Sequence, residues 1–174
     1  MSALFASLLG EAAFSTLPPR VQALHLADGT RIYRGQADIV RGTGLLARLC
    51  GWATSQPPAG DGVALEVEIA TDAQGERWTR NFAGHRMRSR MWAHDGRLCE
   101  ILGLVTFAFA LAAVDGVLVW NLCRVRALGM PLPVHWFGVR AHESESDGRY
   151  RFDVEARLPL VGLLVHYRGW LDVS

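Results

Sequence analysis

The sequence predicts an α+β fold, in which N-terminal helices pack on a strongly curved antiparallel β-sheet or an open β-barrel of about seven or eight strands. Three observations carry this prediction. Helical periodicity is confined to the first third of the chain, and from Val63 onward the apolar pattern has a period of two. The third is a series of glycine-containing pairs typical of hairpin turns: Gln74-Gly75, Ala83-Gly84, Asp95-Gly96, Asp115-Gly116 and Asp147-Gly148.

Three helices are predicted before Pro57-Pro58. The first is indicated by an apolar stripe: Leu4, Phe5, Leu8, Leu9 and Ala12. The second begins at Pro18-Pro19, ends at Asp28-Gly29 and carries His25 near its apolar face. The third has Thr43 as its predicted N-cap. Its apolar face contains Leu45, Leu46, Leu49 and Ala53.

The remaining chain is predicted to form hairpins whose neighbouring strands pair. Residues Leu65, Val67 and Ile69 share one face of a strand, and Trp78, Arg80 and Phe82 share a face of the next. The apolar run from Ile101 to Val114 is interpreted as buried strand, because a membrane-spanning helix needs about 20 apolar residues. A concave pocket follows from the curvature of such a sheet.

The composition bounds the function. The 174 residues indicate a single domain, 1–174, and the 18 basic residues, all arginine, are balanced by 17 carboxylates, which argues against nucleic-acid binding. The three cysteines and six histidines show no metal-ligand spacing, so neither a metal nor a cofactor is predicted. The motif from Gly42 to Ala47 matches a dinucleotide fingerprint but is interpreted as a helix cap, because no βαβ series follows. The N-terminus has no basic region, so a cytoplasmic protein without a membrane span is expected.

Two charged residues are predicted to face the interior, because Arg80 and Glu100 each lie between apolar neighbours of one strand face. A buried charge is costly unless it is paired, so one interpretation is an internal Arg80–Glu100 ion pair. In the alternative, Arg80 binds the anionic head group of a ligand whose apolar body fills the pocket. The residues predicted to line the ligand site are Trp78, Arg80, Phe82 and Glu100.

Several local motifs occur together in one order along the chain. They are Leu17-Pro18-Pro19 with His25, Arg34-Gly35, Trp78-Thr79-Arg80-Asn81-Phe82, Glu100 with Gly103, Pro131-Leu132-Pro133, Phe152-Asp153-Val154 and the closing Tyr167-Arg168-Gly169-Trp170-Leu171. With these motifs the chain resembles the bacterial domain of unknown function 4166 from about Leu4 to Asp172. Members of that family occur alone or behind NAD(P)-binding reductase domains similar to saccharopine dehydrogenase. The resemblance therefore implies an accessory or substrate-facing role, without naming catalytic residues.

Three functions are expected, in this order. The first is a non-catalytic domain that binds a small apolar or amphiphilic molecule in the concave face. The second is an interaction module that docks on a reductase partner through an exposed patch at Met130–Phe137. The third is an enzyme that uses an inward carboxylate as a base, with Glu100, Glu143 and Asp153 as the available carboxylates. A hollow apolar pocket favours the first function. A filled interior with Trp136 and Phe137 exposed favours the second, and a carboxylate buried beside the pocket without an arginine partner favours the third.

Overall fold

The computed structural model describes residues 3–26, 28–159 and 161–173. The helices are α1 (Leu4–Leu9), α2 (Glu11–Phe14), α3 (Pro19–Leu26) and α4 (Leu45–Ala53), and a short 3-10 helix spans Val134–Trp136. The strands are β1 (Thr30–Arg41), β2 (Gly60–Asp72), β3 (Gly75–Phe82), β4 (His85–His94), β5 (Arg97–Leu102), β6 (Val105–Val114), β7 (Val117–Ala127), β8 (Met130–Leu132), β9 (Gly138–Ser146), β10 (Arg149–Leu158) and β11 (Gly162–Asp172).

Ten of these strands form a closed antiparallel barrel. Their order is β6-β5-β4-β3-β2-β1-β11-β10-β9-β7, and pairing of β6 with β7 closes the ring, while β8 adds to the end of β7. The predicted open barrel of about seven or eight strands was therefore wrong in both strand number and closure. Its error has a local cause, because the turns at 103–104 and 128–129 combine glycine with leucine and lie within apolar runs, whereas the predicted turns pair glycine with Asp, Gln or Ala.

The five predicted hairpin turns are confirmed. Asp95, Asp115 and Asp147 have positive φ, as do the glycines that follow them, and this is the backbone of the tight turns that suit the twist of paired strands. Where β1 meets β11, a β-carbon at Gly35 would overlap the backbone carbonyl of Trp170. Glycine is therefore required at this close approach between the first and the last strand.

Helices α1–α3 seal one end of the barrel, which we call the α3 end. The predicted apolar stripe is divided between α1 and α2 at Gly10, whose φ is positive. Phe5, Val21 and Leu24 are fully or almost fully buried in the core that these helices form with the strands. The N-terminal helices thus contribute to the core, as the sequence predicts.

Helix α4 lies across the opposite end, which we call the α4 end, but with a different face inward from the one its pattern predicts. Ala47 and Gly51 are its buried residues, while the predicted apolar face is exposed at Leu45, Leu46 and Leu49. The predicted N-cap at Thr43 was also wrong: Gly44 is the N-cap, without a side-chain hydrogen bond. No helix in the described ranges is long and apolar enough to cross a membrane.

Candidate functional site

The interior of the barrel contains two adjoining cavities. An inner cavity of about 90 Å³ lies among the central strands, and an apolar chamber of about 420 Å³ lies beneath α4 and the 3-10 helix. They adjoin because five residues line both: Glu100, Phe109, Val139, Val154 and Tyr167. The candidate site therefore consists of the apolar chamber and the smaller inner cavity that adjoins it towards the middle of the barrel.

The four residues predicted from the sequence meet on the wall of the inner cavity. Trp78, Arg80 and Phe82 face inward from β3, and Glu100 faces inward from β5. The Arg80 guanidinium donates to Oε1 of Glu100 over 3.4 Å and to the Ser89 hydroxyl over 2.9 Å. The guanidinium carbon of Arg80, Cζ, also lies 4.9 Å from the centre of the Trp78 ring. The ion pair suggested by the alternation is thus present, and it borders the cavity.

A second polar group reaches the same cavity from the α3 end. His25 Nε2 lies 2.5 Å from Oε2 of Glu143, and both residues are buried. Glu143 also accepts a hydrogen bond from the Tyr150 hydroxyl. Burial, with a contribution from Glu143, raises the pKa of Tyr150 well above its ordinary value of 10.0, so that this hydroxyl keeps its proton.

Glu76 lies at the edge of this second group. Its carboxylate accepts a hydrogen bond of 2.8 Å from Trp78 Nε1. Burial raises the pKa of Glu76, and the nearby Glu143 adds to that increase, whereas His25 and the Trp78 hydrogen bond oppose it. Three buried carboxylates therefore lie on or near the wall of the inner cavity: Glu76, Glu100 and Glu143.

The sequence predicted only part of this second polar group, which consists of His25, Glu143 and Tyr150. Glu143 was among the carboxylates considered for a catalytic pair, and the structure places it on the cavity wall. Asp153, another of those carboxylates, lies on the outer face, where it contacts His166 at 2.9 Å. The contact between His25 and Glu143 joins residues 118 positions apart, and no local pattern indicates it.

One buried donor on the cavity wall lacks a partner. Trp120 lines the inner cavity, and its Nε1 is buried with no hydrogen-bond acceptor among the described residues. Most buried N–H groups in folded proteins are paired, because an unpaired one loses its hydrogen bonds to water without replacement. A ligand atom or a water in the cavity can supply the missing acceptor.

Tyr167 stands at the boundary between the two cavities. Burial raises its pKa to about 12, with Glu100 and Glu143 adding to the increase and Arg80 opposing it. Its hydroxyl therefore stays protonated at neutral pH and is available as a donor. Together, Arg80, Trp120 and Tyr167 surround the inner cavity with groups that donate hydrogen bonds.

The chamber is apolar on nearly every side. Its walls include Leu49 of α4, Phe107 of β6, and Trp136 and Phe137 of the segment Met130–Phe137. That segment forms β8 and the 3-10 helix, and half of the Trp136 side chain is exposed. The segment therefore borders the chamber on one side and solvent on the other.

The two ends of the barrel differ in charge. At the α4 end, the segments 41–62, 83–86, 103–104, 126–140 and 157–159 carry six arginines and one carboxylate, namely Arg41, Arg48, Arg86, Arg126, Arg140, Arg157 and Asp61. At the α3 end, the segments 3–26, 28–30, 71–77, 93–97, 114–117, 145–149 and residue 172 carry nine carboxylates and four arginines. The molecule is nearly neutral overall but strongly polarised along the barrel axis.

The first prediction concerns the internal ion pair. Arg80→Leu leaves Glu100 buried without its cation, so we expect the free energy of unfolding to fall by about 3–5 kcal/mol, and Arg80→Leu/Glu100→Leu to recover most of this loss. Urea denaturation measures both changes. Arg34→Leu is the matched control, since the Arg34–Glu66 pair is exposed on the outer face and its loss should change stability by less than about 1 kcal/mol. Equal effects of Arg80→Leu and Arg34→Leu would contradict this account.

The second prediction concerns Glu76. Because burial raises its pKa above 4.5, the folded protein holds this proton to higher pH than the unfolded chain does. The protonated Glu76 therefore makes its whole contribution to the free energy of unfolding below pH 4.5. This contribution is lost as the pH rises through the raised pKa. Glu76→Gln keeps an acceptor for Trp78 and should gain stability relative to the natural chain as pH rises, which denaturation at a series of pH values measures. A stability difference that is constant with pH would rule this out.

One of two comparisons with known proteins places the chain in a family. A search of curated proteins finds no match. Among the described residues, no group of three or more histidine, cysteine, aspartate or glutamate side chains is arranged to hold a metal ion. The model of the family described as Domain of unknown function (DUF4166) matches residues 17–171, which confirms the resemblance carried by the sequence motifs. Since this match covers nearly the whole chain, the protein belongs to that family.

Proposed function

We propose that the barrel binds a small amphiphile, with its apolar part in the chamber and its compact polar head in the inner cavity. The observation that carries this proposal is the apolar chamber of about 420 Å³, which adjoins a cavity bearing the unpaired Trp120 N–H. Ligand sites usually have volumes of about 300–1,000 Å³, and they combine apolar walls with a few placed polar groups. The chamber and its inner cavity fit both criteria.

The charges of the inner cavity favour a neutral head. The Arg80 charge is already matched by Glu100, and Glu76 and Glu143 lie nearby, with His25 in contact with Glu143. An anionic head would add a negative charge to a region that already holds three carboxylates. A carbonyl, ether or hydroxyl oxygen would instead accept from Trp120, Tyr167 or the remaining Arg80 N–H groups. This refines the anionic head considered from the sequence.

A second candidate function is an enzyme in which Glu143 transfers a proton to or from the bound molecule. The observation favouring it is that Glu143 lines the inner cavity and is buried, and its contacts are with His25 and Tyr150 rather than with an arginine. Buried carboxylates with neighbours of this kind recur at catalytic sites. Docking on a reductase partner, the other function expected from the sequence, is supported less, because the interior is hollow rather than filled.

The test of ligand binding uses straight-chain alcohols and the matching fatty acids as probes, with Trp fluorescence as the readout. The alcohol is expected to bind more tightly than the acid. Trp120→Phe removes the N–H but keeps an aromatic ring, and should weaken alcohol binding by up to about tenfold without lowering stability. Trp170→Phe is the matched control, because Trp170 packs against Arg149 on the outer surface. Equal affinities of the two variants would overturn the assigned role of Trp120, and failure of every chain length to bind would overturn the proposal.

Native mass spectrometry separates binding from catalysis. If Glu143 transfers a proton in a reaction, the molecule bound to Glu143→Gln should differ from the one that co-purifies with the natural chain, because substrate accumulates in the variant. The difference is in mass or, for an isomerisation, in fragmentation pattern and chromatographic retention. Bound molecules identical in all three, with retained cooperative unfolding, would reject the enzyme and leave the binding function in place.

A further inference from the structure

The α4 end of the barrel displays large apolar side chains that are directed to solvent. We define the rim patch as Leu45, Leu46, Leu49 and Trp52 of α4, Leu128 of the β7–β8 turn, and Trp136 of the 3-10 helix. Between 50% and 83% of each of these residues is exposed. Isolated exposed leucines are ordinary on protein surfaces, but an accumulation of six large apolar residues at one end is not.

These residues belong to one continuous surface. The backbone N–H of Leu104 donates to the carbonyl of Ala53 over 2.9 Å, and that of Leu128 donates to the carbonyl of Leu104 over 3.0 Å. The tips of two turns are thereby held against the end of α4. Leu49 and Trp136 also line the apolar chamber, so the rim patch is continuous with the chamber wall.

The exposure of the α4 leucines is not imposed by a filled interior. Helix α4 buries Ala47 and Gly51, and an apolar chamber of about 420 Å³ lies beneath it. Leucines turned inward would have occupied part of that volume and gained the free energy of apolar burial. Their exposure leaves an apolar helix face without a partner among the residues that the structure describes.

The charge around the rim patch indicates what covers it. Arg48 and Arg126 are exposed beside it, and within the described ranges neither forms a salt bridge. The α4 end has an excess of arginine, even when Glu155, which bonds Arg157 and lies opposite Arg140, is counted with it, whereas the α3 end is acidic. Tryptophan and leucine beside unpaired arginines suit the boundary between lipid headgroups and acyl chains, where anionic phosphates lie above an apolar layer.

We propose that the α4 end docks on the surface of a bilayer that contains anionic lipid. The rim patch inserts among the headgroups, Arg48 and Arg126 contact lipid phosphates, and the acidic α3 end faces away from the negative surface. This docking rests on the exposed surface alone and holds whatever the chamber contains. If the chamber binds an amphiphile as proposed above, docking brings its wall next to the acyl chains from which such a molecule would enter.

The experiment is sedimentation of the full chain with vesicles, either of phosphatidylcholine alone or of phosphatidylcholine mixed with phosphatidylserine. We expect binding to the mixed vesicles, weaker binding to the neutral ones, and release at high salt as the charges are screened. Absence of binding to the mixed vesicles at low salt, or equal binding to both kinds, would overturn the proposal.

Two sets of variants test the surface itself. Leu45→Glu/Leu46→Glu should abolish binding to the mixed vesicles, whereas Val114→Glu, an exposed apolar position at the α3 end, should not. Arg48→Glu/Arg126→Glu should weaken binding by about fivefold or more for each reversed charge, and Arg31→Glu, at an exposed position at the start of β1, provides the control. Equal losses in rim and control variants would contradict the assignment. Cooperative unfolding of each variant shows that the fold is kept.

Competing occupants give different results. A chain that ignores vesicles but self-associates, and becomes monomeric in Leu45→Glu/Leu46→Glu, would show that a second copy covers the rim patch and would overturn lipid docking. A specific protein partner that binds through the patch without vesicle binding would do the same. Retention of the alcohol probe by a variant that no longer binds vesicles would separate docking from the function of the chamber.

Discussion

The circumference of the barrel is the constraint on which the candidate site depends. Eight strands enclose a space that side chains can fill, and the diameter grows with strand number. Here ten strands close the ring, so even large inward side chains leave volume between them. Those side chains include Trp78, Phe109, Trp120, Tyr150 and Tyr167, and the inner cavity remains among them. The hollow interior is thus a consequence of the number of strands, and the pairing of β6 with β7 preserves it.

Polar groups within this interior are kept stable by pairing rather than by exposure. The Arg80–Glu100 and His25–Glu143 contacts each bring together groups that would be strongly unfavourable if buried alone. Well-packed apolar residues would serve stability at least as well as buried ion pairs do. Each contact includes a residue of the cavity wall, Arg80 with Glu100 in one and Glu143 in the other, which agrees better with a role in holding donors and acceptors towards a ligand than with a role in stability alone. The unpaired Trp120 N–H points to the same conclusion.

The alternation of residues was sufficient to predict part of this site. It placed Trp78, Arg80 and Phe82 on one inward face and Glu100 on another, because residues two apart in a strand share a side of the sheet. Ring closure was beyond it, since a ring closed by the local β6–β7 hairpin also requires β1 to pair with β11, and these two strands are distant in sequence. Predicting two further strands required recognising Gly103-Leu104 and Leu128-Gly129 as turns. Each contains glycine, but its other residue is leucine and its neighbours are apolar, so the pair does not stand out from the strand sequence around it.

The orientation of α4 shows a second limit. Its periodicity correctly indicated a helix with an apolar stripe, and an apolar stripe usually faces the core. In this chain the small residues Ala47 and Gly51 are buried instead, and a β-carbon at Gly51 would overlap the Arg41 guanidinium. Close approach of the helix to the barrel, rather than burial of its largest side chains, determines which face lies inward. Periodicity alone cannot distinguish these two outcomes.

This orientation also makes the two ends of the barrel unequal as routes to the interior. At the α3 end, Phe5 packs 3.7 Å from the His25 ring and 5.5 Å from Trp120, measured between ring centres, so displacement of the helices would expose large side chains and break buried polar contacts. At the α4 end, the helix itself buries only Ala47 and Gly51, which are small, and the volume beneath it is an apolar chamber rather than a packed core. Access from this end therefore does not require large buried side chains or buried polar pairs to separate. The outward leucines create the rim patch above this chamber, so the surface proposed to meet lipid is also the side on which the chamber lies.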